Sequence, residues 1–233
     1  MRPFRVGPLV ASPVLMAVLA ACAPSPGPRP SASTAKSPPA HAVAIEPSHI
    51  KRVVRDLPSG YEVTTAIPGA ASPRVIWGLA SELGVIEAMP PQCAALADPG
   101  NGRDQSAQGV SASGMGGIVD AVVVALPGPA ELDHNLVAAC VRWSMSTGHT
   151  TASVRLTDAP HLDDAETVGM VAETKSSAES GTQTDSRAYT FTAYLGDYYA
   201  FTALITDPGS ALPSLPPQFA ADLLVKTVST LRG

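Results

Sequence analysis

The sequence is short of charge, of aromatic side chains and of cysteine. Only 15% of its 233 residues are charged, against a usual quarter, and 5% are aromatic. The balance of 15 Lys and Arg against 20 Asp and Glu gives a formal charge of −5. No stretch gathers basic residues with aromatics as a nucleic-acid groove requires, so no nucleic-acid partner is expected. Long hydrophobic runs are also missing. The one uncharged apolar run near the start, Gly7 to Ala20, falls short of the roughly 20 residues of a membrane span and contains Pro8 and Pro13.

Local catalytic and metal motifs are absent too. Gly109-Val110-Ser111-Ala112-Ser113-Gly114 misses the second glycine of a G-x-S-x-G elbow by one position. Gly114-Met115-Gly116-Gly117 leads into a strand instead of a helix N-terminus, which excludes a pyrophosphate cradle and favours a tight turn. Of His41, His49, His134, His149 and His161, no two stand at the i, i+4 spacing that puts two imidazoles on one helix face. Asp158, His161, Asp163, Asp164 and Glu166 form the densest polar cluster, but without the regular ligand spacing and central Gly of a calcium loop they read as a solvated loop. No metal and no cofactor is expected, and no local motif assigns an enzyme. A hydrolase would have to be assembled from residues distant in sequence, for instance a Ser with His134 or His161.

What is present begins with an address. Arg2 and Arg5 precede the apolar run, as in a secretory signal peptide. The run ends in Leu19-Ala20-Ala21-Cys22, which resembles a bacterial lipobox. Cleavage there would leave Cys22 as the lipidated first residue, and a diacyl anchor supplies the two hydrocarbon chains that stable membrane attachment needs. The alternative, Cys22 as a buried core thiol, lacks foldable sequence around it. Residues 1–21 are therefore expected to be a signal peptide, and residues 22–47 the acylated Cys with a Pro/Ser/Ala-rich tether too poor in large apolar residues to bury a core. After residue 21, 13 basic and 20 acidic residues remain, a formal −7. With Cys22 acylated, Cys93 and Cys140 are left in an oxidising compartment and are expected to form one disulfide, worth roughly 4 kcal/mol in the chain-entropy picture. A zinc or catalytic reading is weaker, since neither has a second Cys or a His within four residues.

Residues 48–233 are expected to form one α+β domain, an antiparallel sheet with helices packed against it. Ser48 is expected to cap a helix with Ile50, Val53, Val54 and Leu57 inward, followed by a strand over 61–67. Pro90-Pro91 should start a short helix bearing Cys93 and Leu96, and 98–109 should be a mobile loop. Ile118 to Leu126, apolar apart from Asp120, predicts a central strand buried on both faces. Glu131 to Ala139 predicts a short helix, and Val141, Trp143 and Met145 should face inward on the next strand. Gly148-His149 joins that strand to another bearing Ala152, Val154 and Leu156. Residues 176–186 read as a flexible connection.

A hairpin over 189–206 turns at Gly196-Asp197, with Leu195 opposite Tyr198, Tyr194 opposite Tyr199 and Thr192 opposite Phe201. A last helix begins at Pro216-Pro217 and turns Ala220, Leu223, Leu224, Thr227, Val228 and Leu231 inward. The hairpin holds six of the chain's 11 aromatics. Core packing is the favoured reading of them, and the alternative is a binding surface of Tyr189, Tyr194, Tyr198 and Tyr199.

At Trp77-Gly78-Leu79, Pro90-Pro91-Gln92-Cys93-Ala94-Ala95-Leu96 and Cys140 the chain resembles a family of mycobacterial and related actinobacterial cell-envelope lipoproteins, and more distantly the extracellular sensor domain of the mycobacterial Ser/Thr kinase PknH. The resemblance covers roughly residues 48–233. It implies an antiparallel sheet with helices against it and a binding role without known chemistry. The sensor family has two disulfides around a cleft, whereas this chain has the cysteines for one.

The expectation is a lipoprotein of the cell membrane, anchored on the extracytoplasmic side, whose non-enzymatic domain binds or senses a protein, glycan or lipid. The alternatives are an envelope lipid carrier with an apolar cavity and, less favoured, a hydrolase acting on envelope material.

Overall fold

The computed structural model describes residues 44–67, 69–80, 86–178 and 180–233. The expected signal peptide, Cys22 and the expected tether up to residue 43 lie outside the described residues. Among those described, no helix is long and apolar enough to cross a membrane.

The first element among the described residues is a 3-10 helix, Pro47–Asp56. In this tighter helix residues i and i+3 stack one above the other. Ile50 and Val53 are accordingly both fully buried, while Val54 and Leu57 are half-buried on the flank, which corrects the expected α-helical stripe. Its N-cap is Glu46, whose carboxylate accepts the Ser48 N–H at 3.2 Å, and not Ser48 itself.

There follow β1 (Glu62–Thr64), α1 (Pro73–Ile76), β2 (Glu87–Met89), a 3-10 turn (Pro91–Cys93) running into α2 (Ala94–Ala97), β3 (Ser106–Gly114) and β4 (Gly117–Ala125). Then come α3 (His134–Ala139), β5 (Arg142–Thr147), β6 (Thr150–Thr157), β7 (Glu166–Ser177), β8 (Gln183–Tyr194), β9 (Tyr198–Thr206) and α4 (Pro217–Arg232).

The nine strands form a single antiparallel sheet in the order β1-β3-β4-β9-β8-β7-β6-β5-β2. The architecture is sheet-dominated, with a few helices packed on both faces, a narrower statement than an even α+β mixture. Both edge strands are three residues long, which leaves little backbone free to pair with another chain.

Each face has its own apolar layer. On one, Trp77, Leu79, Leu96 and the Cys93–Cys140 disulfide pack over Val122, Val124, Trp143, Met170 and Phe201. On the other, Ile50 and Val53 of the 3-10 helix and Leu223, Leu224, Val228 and Leu231 of α4 cover Val119, Ala121, Val123 and Leu204. β4 thus contributes alternate residues to both layers, as its nearly continuous apolar run requires. All six residues of the expected α4 stripe are buried. The Glu46 N–H donates to the Leu231 carbonyl at 2.9 Å, joining the first and last elements.

The β8–β9 hairpin has the expected register: Tyr194 faces Tyr199 and Thr192 faces Phe201, and the Leu195 N–H donates to the Tyr198 carbonyl at 2.8 Å. Gly196 turns it with φ +71°, a conformation that costs side-chain-bearing residues dearly. Gly117 has φ +127°, and a Cβ there would stand 2.3 Å from the Ile205 carbonyl oxygen, so the β3–β4 turn admits no larger residue.

Several expectations need correction. Ser106 to Gly109, assigned to a mobile loop, begin β3, so the near-elbow at Gly109 lies within a strand. Of the strand over 61–67 only Glu62–Thr64 pairs, all of it exposed. The helix over 131–139 starts at His134, with the Asp133 carboxylate accepting the Asn135 and Leu136 N–H groups at 2.9 and 3.2 Å. Val141 is 59% exposed and faces outward. The flexible connection at 176–186 is largely the facing ends of β7 and β8, which pair over 12 residues from Glu166↔Tyr194 to Ser177↔Gln183.

Candidate functional site

The helices do not cover the second face evenly. α4 packs chiefly on β9, β8 and the 3-10 helix, and the 3-10 helix on β3 and β4. On β5, β6 and the 173–177 end of β7 the same face stays open. Register sets its composition in rows: Arg142, Arg155, Val171 and Tyr189 in the first, and Ser144, Ser153, Glu173 and Arg187 in the second. The third holds Ser146, Thr151, Lys175 and Asp185. The underside of the same strands is apolar, with Trp143, Met145, Ala152, Val154, Met170 and Ala172 all buried.

Within this polar face lies a shallow depression of about 140 Å³ lined by Arg142, Ser153, Val154, Arg155, Val171 and Glu173. Val171, 2% exposed, floors it. Glu173 is already engaged, its carboxylate 2.9 Å from the Arg187 guanidinium. Arg142 and Arg155 stand directly opposite each other and are exposed, and among the described residues neither has a carboxylate within 4.0 Å.

The four tyrosines do not make one surface. Tyr194 and Tyr199 are buried beneath the disulfide-side layer, while Tyr189 and Tyr198 are half-buried against the α4-side layer. The single Tyr199 hydroxyl proton is shared between the Ala71 carbonyl and, at 3.0 Å, Gln105 Oε1. Burial raises the pKa of both buried hydroxyls well above the ordinary tyrosine value, with nearby Asp98 adding to the effect at Tyr199 and Glu166 at Tyr194. They serve as core aromatics with satisfied or sheltered polar ends.

The polar cluster at 158–166 is an exposed loop and the start of β7, and the Arg232 guanidinium donates to the Asp163 and Asp164 carbonyls at 2.8 and 3.2 Å. Among the described residues no group of three or more His, Cys, Asp or Glu is placed to hold a metal. His134 Nε2 lies 2.5 Å from Glu166 Oε1 and His161 Nε2 lies 3.8 Å from Asp163 Oδ1, so the described partners of both are carboxylates and not serines. Cys93 and Cys140 are disulfide-bonded with Cα atoms 5.6 Å apart, both fully buried.

The Arg142–Arg155 pair was missed in the sequence, although its signal is there. Once Gly148-His149 is taken as a two-residue turn, Thr147 faces Thr150, and counting outward puts Arg142 opposite Arg155.

Fold and face together define a disulfide-closed, single-sheet antiparallel domain with one face half covered by helices. Residues 46–232 match the family described as Domain of unknown function (DUF5642), and the chain belongs to that family. A crystal structure of an uncharacterised Mycobacterium smegmatis protein, an Rv0999 ortholog, is similar in fold with a TM-score of 0.60 at 17% identity, over 83% of this chain and 100% of that one. The extracellular domain of PknH from Mycobacterium tuberculosis aligns with a TM-score of 0.42 at 11% identity, over 82% of this chain and 93% of that one. No curated protein matches the chain.

Proposed function

We propose that the chain is a cell-envelope lipoprotein, anchored through Cys22 on the extracytoplasmic side of the membrane, whose domain binds or senses a ligand without catalysing a reaction on it. The observation that carries this reading is the Cys93–Cys140 disulfide, fully buried in one of the two apolar layers. Such structural bridges form and persist in oxidising, exported compartments. It agrees with the charged start, apolar run and Leu19-Ala20-Ala21-Cys22 of the sequence. The binding part of the reading rests on the half-open polar face, which the fold holds rigidly on a buried underside.

Cys22→Ser tests the anchor. The wild-type chain is expected in the membrane fraction with an acyl mass on its N-terminal Cys, and the variant in the soluble fraction. Retention of the variant in the membrane fraction would overturn the anchoring.

A further inference from the structure

On the open face, Arg142 and Arg155 have no carboxylate within 4.0 Å among the described residues. Like charges placed directly opposite on neighbouring strands destabilise the pair. Arg142 and Arg155 occupy such a position in a chain with five more acidic than basic residues, while the one carboxylate lining their depression, Glu173, is engaged by Arg187 at 2.9 Å. We propose that Arg142 and Arg155 together bind the phosphate group of a phosphomonoester or phosphodiester, with the Ser153 hydroxyl as a further donor. The proposal rests on the binding reading above and gives it a ligand class.

Size and donor count support it. Pockets for drug-sized ligands run to roughly 300–1,000 Å³, whereas this depression is about 140 Å³. It admits a small polar group, and the remainder of the ligand lies outside it, along Ser144 and Thr151. A carboxylate is filled by one bidentate guanidinium, whereas the terminal oxygens of a tetrahedral phosphate can engage two forks at once. Arginine is the residue suited to this, being permanently charged and planar. The buried Val171 floor keeps water from one side of the contact and strengthens it.

The test uses residues 22–233 carrying Cys22→Ser, so that neither the apolar run nor an acyl group contributes. Inorganic phosphate is titrated against chloride at equal ionic strength, and amide and guanidinium NMR signals are followed. In parallel the protein is mixed with phosphatidylcholine vesicles with and without phosphatidylglycerol. Phosphate is expected to shift the Arg142, Ser153 and Arg155 signals saturably, with affinity at least tenfold weaker in the Arg142→Gln/Arg155→Gln double variant. That variant removes two exposed like charges, so it should melt no lower than its parent without phosphate. Phosphate binding without vesicle retention identifies a soluble phosphate as the source. Retention on the phosphatidylglycerol vesicles that the double variant loses identifies a lipid headgroup. Neither binding, or binding equal in the double variant, overturns the site while leaving the Cys22 fractionation result intact.

Discussion

Asp120 is 3% exposed on β4, on the disulfide side of the sheet, where its cross-strand neighbour Ser111 supplies a hydrogen bond. Burial outweighs that bond and pushes the carboxyl up to about 6 from the ordinary 3.8. Since the folded state then holds its proton more tightly than the unfolded state, stability falls as pH rises from about 4 through about 6, and the cost is complete above that. It amounts to roughly 3 kcal/mol at most. Asp120→Asn is therefore expected to melt higher than wild type at pH 7.5 and to show no advantage near pH 3.5. Thermal melts across that range check it, and a pH-independent difference would show that the carboxyl is not the cause. In the sequence Asp120 was visible only as the one polar residue of an apolar run. Its burial followed from a strand buried on both faces, whereas its Ser111 partner depended on the β3–β4 register, which the local pattern of β4 does not encode.

At the scale of elements, the disulfide ties the turn ahead of α2 to the end of α3, bridging a sequence separation of 47. Replacing both Cys93 and Cys140 by Ala is expected to lower stability by roughly 2–4 kcal/mol. Urea unfolding should show this as a lower midpoint, while a midpoint unchanged within error would mean that the surrounding apolar layer holds these segments unaided. Elements with a strong local signal were legible: the β8–β9 register from Gly196, the α4 stripe from its spacing, and β4 from its continuous apolar run. β7 was not. Gly169 interrupts it and Ser176 and Ser177 read as part of a flexible connection, yet long pairing with β6 and β8 makes all of it strand. The N-terminal helix shows the converse, since its spacing announced a helix but could not distinguish the 3-10 form, where Ile50 and Val53 align directly.

The described domain is one sheet between two unequal coverings. That a sheet with helices against it would form was readable from alternating strands and a closing amphipathic helix. That α4 would lie over β8 and β9 and leave β5, β6 and the 173–177 end of β7 open was not, because it follows from the strand order and from where the last connection returns the chain. The composition of residues 22–43 predicts a segment outside the cooperative unit. Limited trypsin digestion is expected to cut after Lys36 and leave the remainder with an unchanged melting temperature. A fall of more than a few degrees would show that the segment contributes to the fold.

The contact between Glu46 and Leu231 means that backbone groups near the two ends of the described domain are hydrogen-bonded neighbours. In covalent terms the fold is nearly a ring, closable by a short linker without disturbing a strand. The exposed connection at 207–213, between β9 and α4, would then serve as a new opening. A circularly permuted chain cut there keeps both apolar layers and the open Arg face, while moving the point from which the domain is held to a different part of its surface.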